Sequence, residues 1–174
     1  MAELILLLGG ARAGKSTFAL QLAEERASGT VVSFIATAQA LDDEMVHRIE
    51  RHRTERSPKW ITIEEPYQLD EALLQTKNSS VVIVDCLTLF VSNWMMRVEN
   101  ESECQQSVQE VSERFLSLVK GESKTVICVS NEVGLGVVPG TNMGRSFRDL
   151  LGRVNQQVAE VATEVYLLVA GIPM

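Results

Sequence analysis

The chain has 174 residues, of which 45% are hydrophobic and 22% are charged, and its formal net charge is −7. This size and composition predict a single globular domain over residues 1–174, and the negative charge argues against a nucleic-acid-binding surface. No apolar run is long enough to cross a bilayer, and Glu3 stands where a signal peptide would carry basic residues. We therefore expect a cytoplasmic protein without a membrane-spanning segment.

Apolar segments alternate with longer amphipathic segments along the whole chain. Strands are predicted at residues 4–8, 31–36, 60–64, 80–85, 124–130 and 164–170. Helices are predicted at residues 16–25, 41–56, 67–76, 87–98, 101–120 and 147–162, with a glycine-containing loop at 134–142. Near-continuous apolar strands between helices predict an α/β fold, a three-layer sandwich around a mostly parallel sheet. Ligands of such folds bind at the carboxyl ends of the strands, so the residues after each strand are site candidates.

One octapeptide between the first strand and the first helix fits the phosphate-binding pattern G-x-x-x-x-G-K-[ST]. Its residues are Gly9, Gly10, Ala11, Arg12, Ala13, Gly14, Lys15 and Ser16. Glycines let successive backbone N–H groups point at phosphate oxygens, and the helix N-terminus adds partial positive charge. Lys15 would reach the outer phosphates and the Ser16 hydroxyl would ligate Mg²⁺. A glycine turn with a surface lysine is the alternative, but the flanking strand and helix favour a P-loop.

Asp85 ends the β-branched strand at residues 80–85. An acidic residue at this position fits the second magnesium-organising element of P-loop enzymes. The alternative is a helix N-cap, because the next helix is predicted to begin at Leu87. The phosphate loop favours the metal role, with Ser16 and Asp85 as the protein ligands.

A basic segment at residues 48–56 stands out in this acidic chain. On a helix, Arg48, His52 and Arg56 are spaced by four residues and share one face. An imidazole is a competent nucleophile, and arginines bind phosphate oxygens. From spacing alone, however, a solvated charged helix is the favoured interpretation.

Three other segments leave their alternatives open. The loop at residues 131–139 follows a strand and is as consistent with a ligand-binding loop as with an ordinary connection. Arg145 and Arg148, one turn apart at a helix start, could meet an anionic ligand, but solvated helix charges are favoured for them and for Arg153. The apolar segment at residues 87–96 fits either the core or a contact between subunits.

Taken together, these segments resemble one family, the bifunctional adenosylcobinamide kinase / adenosylcobinamide-phosphate guanylyltransferases of cobalamin biosynthesis. The matching pieces run in order over nearly the whole chain: residues 9–16, 35–45, 48–49, 52–53, 85–88, 131–139, 147–156 and 171–173. Ala13 stands where the family often has serine. Arg51 stands where some members carry a second histidine, which leaves His52 as the nucleophile that the resemblance implies.

The resemblance implies two activities on one chain. A nucleoside triphosphate, ATP or GTP, first phosphorylates the aminopropanol hydroxyl of adenosylcobinamide. GMP is then transferred from GTP through a guanylyl-histidine, placed by motif at His52, to give adenosylcobinamide-GDP. A P-loop small-molecule kinase without guanylylation, or a non-catalytic nucleotide-dependent switch, is the competing interpretation.

The resemblance also implies further nucleotide-binding positions and a homo-oligomer, expected to be a trimer. These positions match Ala36, Thr37 and Ala38 after the second strand, and Glu64 after the third. The segment after the nucleophile adds Arg53, Thr54, Glu55 and Arg56.

Overall fold

The structure is a computed structural model that describes residues 2–174, apart from the side chains of Glu44 and Arg48. The predicted place of the Arg48 side chain beside His52 therefore lies outside the described residues. The described part of the chain forms the following elements: β1 (Glu3–Gly9), α1 (Lys15–Ala27), β2 (Val32–Ala36), α2 (Asp43–Thr54), β3 (Ile61–Glu64), α3 (Leu69–Leu74), β4 (Val81–Asp85), α4 (Leu87–Arg97), α5 (Glu101–Gly121), β5 (Thr125–Val129), α6 (Asn142–Val161), β6 (Glu164–Val169) and β7 (Ile172–Pro173).

All strands belong to one sheet with the order β3-β2-β4-β5-β1-β6-β7. Neighbouring strands from β3 to β6 run parallel, and only β7 pairs antiparallel, with β6. The predicted α/β fold with a mostly parallel sheet is confirmed. In this order β5 separates β1, which leads into the phosphate loop, from β4, which ends at Asp85.

Alternation along the strands divides the core between the two faces of the sheet. Ile5 and Leu7 of β1 face α1, whose Ala19, Leu22 and Ala23 cover that side. Leu4 and Leu6 belong to the opposite face, which is covered by α3, α4, α5 and α6. In the described chain, no helix combines the length and hydropathy that a membrane span requires.

Two features of the C-terminal region differ from the sequence-based expectation. Helix α6 begins at Asn142 rather than at residue 147, because the Thr141 hydroxyl accepts a hydrogen bond from the Gly144 N–H and caps the helix. Strand β7 was not predicted, since its two residues are too few to show a periodic pattern.

The apolar segment at residues 87–96 belongs mainly to the core. Leu87, Phe90, Val91 and Trp94 of α4 are buried within the chain itself. Met96 is the exception, at 71% exposed. Most of this segment is therefore not available as a surface for a second subunit.

Candidate active site

The predicted site residues on the strands lie in one row across the sheet. Glu64 is in register with Ala36, Ala36 with Asp85, and Asp85 with Val129, which is itself in register with Leu7. Registered residues of parallel strands project to the same face, here the face covered by α1. With strands about 4.8 Å apart, the row extends about 19 Å from β3 to the strand that enters the phosphate loop.

The phosphate loop has the backbone geometry that its sequence predicts. Gly14 is the N-cap of α1 in a left-handed conformation, with φ 93°, and Arg12 also has positive φ, at 58°. Because glycine has no side chain to cap the helix, the first-turn N–H groups stay available to an anion. Lys15 is 8% exposed, and its ammonium donates to the carbonyls of Gly9 (3.0 Å) and Gly10 (2.6 Å). The ammonium thus lies beside the first two residues of the loop.

Backbone hydrogen bonds hold the loop from both sides. The Glu132 N–H donates to the Gly9 carbonyl (3.1 Å), and the Gly171 N–H donates to the Ala13 carbonyl (3.0 Å). The second contact is tight, since a Cβ added at Gly14 would lie 3.1 Å from Gly171 Cα. Sequence reasoning missed this role of the β6–β7 turn, because a two-residue strand carries no periodic signal.

Thr37 positions the turn that follows Asp85. Its hydroxyl donates to the Cys86 carbonyl (2.8 Å) and accepts from the Cys86 N–H (2.7 Å), while its own N–H donates to the Asp85 carbonyl (3.2 Å). Asn93 of α4 donates to the Thr37 carbonyl (2.8 Å). Thr37 is fully buried, so its side chain fixes the backbone around Asp85, whereas Ala38 is partly exposed beside it.

The C-terminal end of α2 is attached to the same row by two arginines. Arg53 forms a salt bridge with Glu64. The Arg56 guanidinium lies 3.4 Å from the centre of the Phe34 ring, which faces α1. Burial lowers the pKa of Arg56, and the charge of Asp85 opposes this shift. Two guanidinium groups are therefore associated with Glu64 and Asp85.

The rest of α2 contributes little to the fold. None of its described side chains belongs to either core cluster. His52 is partly exposed, and Glu55 is exposed. Thr54 is exposed as well and donates locally to the Arg51 carbonyl (2.7 Å). The helix is thus anchored mainly through Arg53 and Arg56.

The residues available for a metal ion suit Mg²⁺ held partly by a substrate. The described residues contain no cluster of three or more His, Cys, Asp or Glu side chains able to hold a metal alone. Mg²⁺ is commonly bound by one carboxylate and the phosphates of a nucleotide. Asp85 at the end of β4 and Ser16 in the first turn of α1 fit that donor set.

The three arginines of α6 are engaged away from this row. Arg145 donates to the Pro139 carbonyl (2.9 Å), Arg148 pairs with Asp149 (2.9 Å), and Arg153 reaches Gln105 (3.4 Å). Arg145 and Arg153 line a cavity of about 310 Å³ between α5 and α6. Within the described chain, these arginines thus contact neighbouring protein groups of α5, α6 and the loop before α6.

Comparison with known proteins decides the family. The family model described as cobinamide kinase / cobinamide phosphate guanyltransferase matches residues 5–174. The chain belongs to this family. It is 40% identical over 178 residues to the bifunctional adenosylcobalamin biosynthesis protein CobU of Escherichia coli (strain K12), covering 97% of each chain. It is 42% identical over 170 residues to CobP of Pseudomonas aeruginosa, covering 97% of this chain and 94% of that protein.

The predicted bifunctional kinase and guanylyltransferase of cobalamin biosynthesis is thereby confirmed at the level of the family.

Solved structures with low sequence identity support the fold. The KaiC-like protein PH0186 from Pyrococcus horikoshii OT3 matches with a TM-score of 0.53 and 18% identity, over 95% of this chain and 70% of that one. The flagellar accessory protein FlaH from Methanocaldococcus jannaschii matches with a TM-score of 0.52 and 16% identity, over 95% of this chain and 70% of that one.

The loop geometry predicts unequal effects of alanine at two adjacent glycines. A Cβ at Gly9 would lie 2.6 Å from the Leu168 carbonyl oxygen, whereas a Cβ at Gly10 meets nothing within 4 Å. We expect Gly9→Ala to lower the free energy of unfolding by about 1–3 kcal/mol and Gly10→Ala by less than about 0.5 kcal/mol. Urea denaturation of the nucleotide-free protein measures both. Equal effects would contradict the described packing of Gly9 against β6.

Proposed function

We propose that one nucleotide site serves both reactions of this family in this chain. The supporting observation is the row of Glu64, Ala36 and Asp85, which β5 separates from β1, the strand that leads into the phosphate loop. The end of α2 is attached beside this row, by Arg53 to Glu64 and by Arg56 to Phe34. The row is long enough for the base and the phosphates of one nucleotide to lie toward opposite ends. Glu64 would then accept hydrogen bonds from the base or ribose of the bound nucleotide.

The phosphate loop would bind the triphosphate of ATP or GTP. First-turn N–H groups of α1 donate to phosphate oxygens, and Lys15 exchanges the loop carbonyls for the outer phosphates. In the kinase reaction, the hydroxyl of adenosylcobinamide attacks the γ-phosphorus and the nucleoside diphosphate leaves. Positive charge from Lys15 stabilises the charge that develops on the transferred and leaving phosphates.

Ser16 and Asp85 would hold Mg²⁺ against the phosphates. The ion, when bound, neutralises charge on the phosphate oxygens. The protein contribution is to fix Asp85, because Thr37 binds both backbone groups of the residue that follows it.

His52 would act as the nucleophile of the guanylyltransferase reaction. A nitrogen of its imidazole attacks the α-phosphorus of GTP, an N–P bond forms, and pyrophosphate leaves. A phosphate oxygen of adenosylcobinamide phosphate then attacks the same phosphorus, the N–P bond breaks, and adenosylcobinamide-GDP forms. Arg53 and Arg56 would hold the transferred phosphate, because guanidinium groups form charge-assisted hydrogen bonds with phosphate oxygens.

Cys86 follows Asp85 in the chain and carries a second nucleophilic side chain, but the protonated state of its thiol argues against a catalytic role. Burial raises the pKa of the Cys86 thiol to about 12. The thiol is therefore protonated at neutral pH, and a protonated thiol is a poor nucleophile. The Cys86 sulfur instead accepts a hydrogen bond from the Leu89 N–H (3.4 Å) at the start of α4.

Covalent labelling distinguishes His52 from the alternatives. We expect incubation with GTP labelled at the α-phosphate to leave acid-labile, alkali-stable label on the wild type and none on His52→Ala, because a phosphoramidate needs the imidazole. Cys86→Ser is the matched control and should keep the label. An unlabelled wild type, or label that survives His52→Ala, would contradict the proposed intermediate and favour a kinase without guanylylation or a nucleotide-dependent switch.

The same variants separate the two reactions. His52→Ala should still phosphorylate adenosylcobinamide, whereas Lys15→Ala should slow both reactions about a hundredfold or more, because both use the phosphate loop. Equal loss of both reactions in a folded His52→Ala protein would show that the two roles are not separable.

The predicted homo-oligomer, a trimer, needs an exposed apolar surface. The loop after β5 and the first turn of α6 provide one, since Leu135, Val137, Val138 and Met143 are 83%, 95%, 61% and 71% exposed. No charged residue occurs between residues 133 and 144. Clustered exposed apolar side chains of this kind are typical of protein interfaces, so we assign the contact with a second copy to this loop.

A single charge in that loop tests the assignment. Val137→Asp should convert a trimer to a monomer in size-exclusion chromatography with light scattering, because a buried unpaired carboxylate is costly. Leu74→Asp, at an exposed apolar position of α3, should leave the mass unchanged. A trimer that tolerates Val137→Asp would contradict a contact through this loop.

A further inference from the structure

Asn131 is the second residue after β5, in the segment that runs between the phosphate loop and Asp85. The Ser130 N–H donates to the Leu7 carbonyl (2.9 Å), and the Glu132 N–H donates to the Gly9 carbonyl (3.1 Å). The parallel ladder with β1 therefore continues past the end of β5 to the start of the phosphate loop. On the other side of β5 lies β4, where Asp85 is in register with Val129. Asn131 thus sits between the phosphate loop and Asp85.

Alternation along this extended segment gives the face on which Asn131 lies. Val129 faces α1, and so do Leu7 of β1 and Ile83 of β4. Residues two apart on an extended chain share a face, so Asn131 and Asp85 are both on the side of α1, the helix that follows the phosphate loop. Ser130 projects to the opposite side, where its hydroxyl donates to Asn155 of α6 (2.6 Å).

The backbone of Asn131 is held at both of its polar groups by side chains. Its N–H donates to the Thr88 hydroxyl of α4 (2.8 Å), and its carbonyl accepts from the Asn155 amide (3.2 Å). These bonds require a backbone N–H and a carbonyl, which almost any residue supplies. They fix the position of the residue without using its side chain.

The Asn131 side-chain amide makes no hydrogen bond to any described residue. It is partly exposed at the surface of the site. A side-chain amide offers two donors on nitrogen, and phosphate oxygens accept such bonds. A fixed backbone that carries a side-chain amide without a protein partner is the arrangement expected of a ligand contact.

We infer that the Asn131 amide binds the terminal phosphate of the bound nucleoside triphosphate and so positions it for reaction. The first-turn N–H groups of α1 hold the inner phosphates, and the outer phosphate lies between Lys15 and Asp85, where Asn131 is located. This inference rests on the proposed function, because it assigns a residue to the same phosphate site. Asn131 discriminates a triphosphate from a diphosphate, and it acts in both reactions.

The test compares two ligands that differ only in the terminal phosphate. The probes are the α,β-methylene analogues of GTP and GDP, which cannot transfer GMP, and their dissociation constants are measured by calorimetry with Mg²⁺. Asn131→Ala should weaken binding of the triphosphate analogue about tenfold and that of the diphosphate analogue by less than about twofold. Asn131→Asp, of nearly the same shape, should weaken triphosphate binding further because two negative charges meet.

Asn142→Ala is the matched control, since it removes an amide at the start of α6, beyond the loop that follows Asn131, and should change neither constant. Equal weakening of both analogues by Asn131→Ala, with a lower unfolding temperature, would show a structural role only. An unchanged ratio of the two constants in a wild-type-like variant would also overturn the inference while leaving the proposed function intact. A wild type that binds neither analogue would overturn the proposed function itself, and this inference with it.

Discussion

Two backbone hydrogen bonds hold the phosphate loop in shape, one from each side. Glu132 donates to the Gly9 carbonyl and Gly171 donates to the Ala13 carbonyl. The N–H groups of a phosphate-binding loop must stay available to the ligand, so they cannot stabilise the loop by hydrogen bonds within it. Its conformation therefore depends on the neighbouring segments. The strand order places β5 on one side of β1 and the terminal β6–β7 hairpin on the other.

The other parts of the site lie beside the phosphate loop, near the carboxyl ends of the parallel strands. The segment after β5 supports the loop and also carries Asn131, and the clamp by Thr37 fixes the turn after Asp85. Helix α2 is anchored differently, by a salt bridge and a cation–π contact instead of apolar packing. The phosphate loop is thus supported by strands that belong to the core. His52, in contrast, lies on a helix that contacts the sheet through the charged side chains of Arg53 and Arg56.

Much of the fold could be predicted from the sequence because its main strands are apolar runs punctuated by turn signals. The phosphate loop was found by its motif and Asp85 by its place at a strand end, whereas the family resemblance pointed to Glu64. The sheet brings Glu64, Ala36 and Asp85 into one row. Spacing alone favoured a solvated helix at residues 48–56, and only the family resemblance pointed to His52. Contacts between distant segments left no local signal, as for Thr37 with Cys86 and Gly171 with Ala13. The role of α4 was likewise ambiguous, since core and interface residues share one composition.

The central claim is that one phosphate cradle serves two acceptors, the substrate hydroxyl at the γ-phosphorus and His52 at the α-phosphorus. Competitive inhibition by α,β-methylene-GDP, which can donate neither a phosphoryl group nor GMP, tests it most directly, with GTP as the donor in both reactions and initial rates followed for each. A single shared site predicts the same inhibition constant for adenosylcobinamide phosphorylation and for guanylylation of His52. Clearly different constants, or inhibition of one reaction alone, would contradict the account.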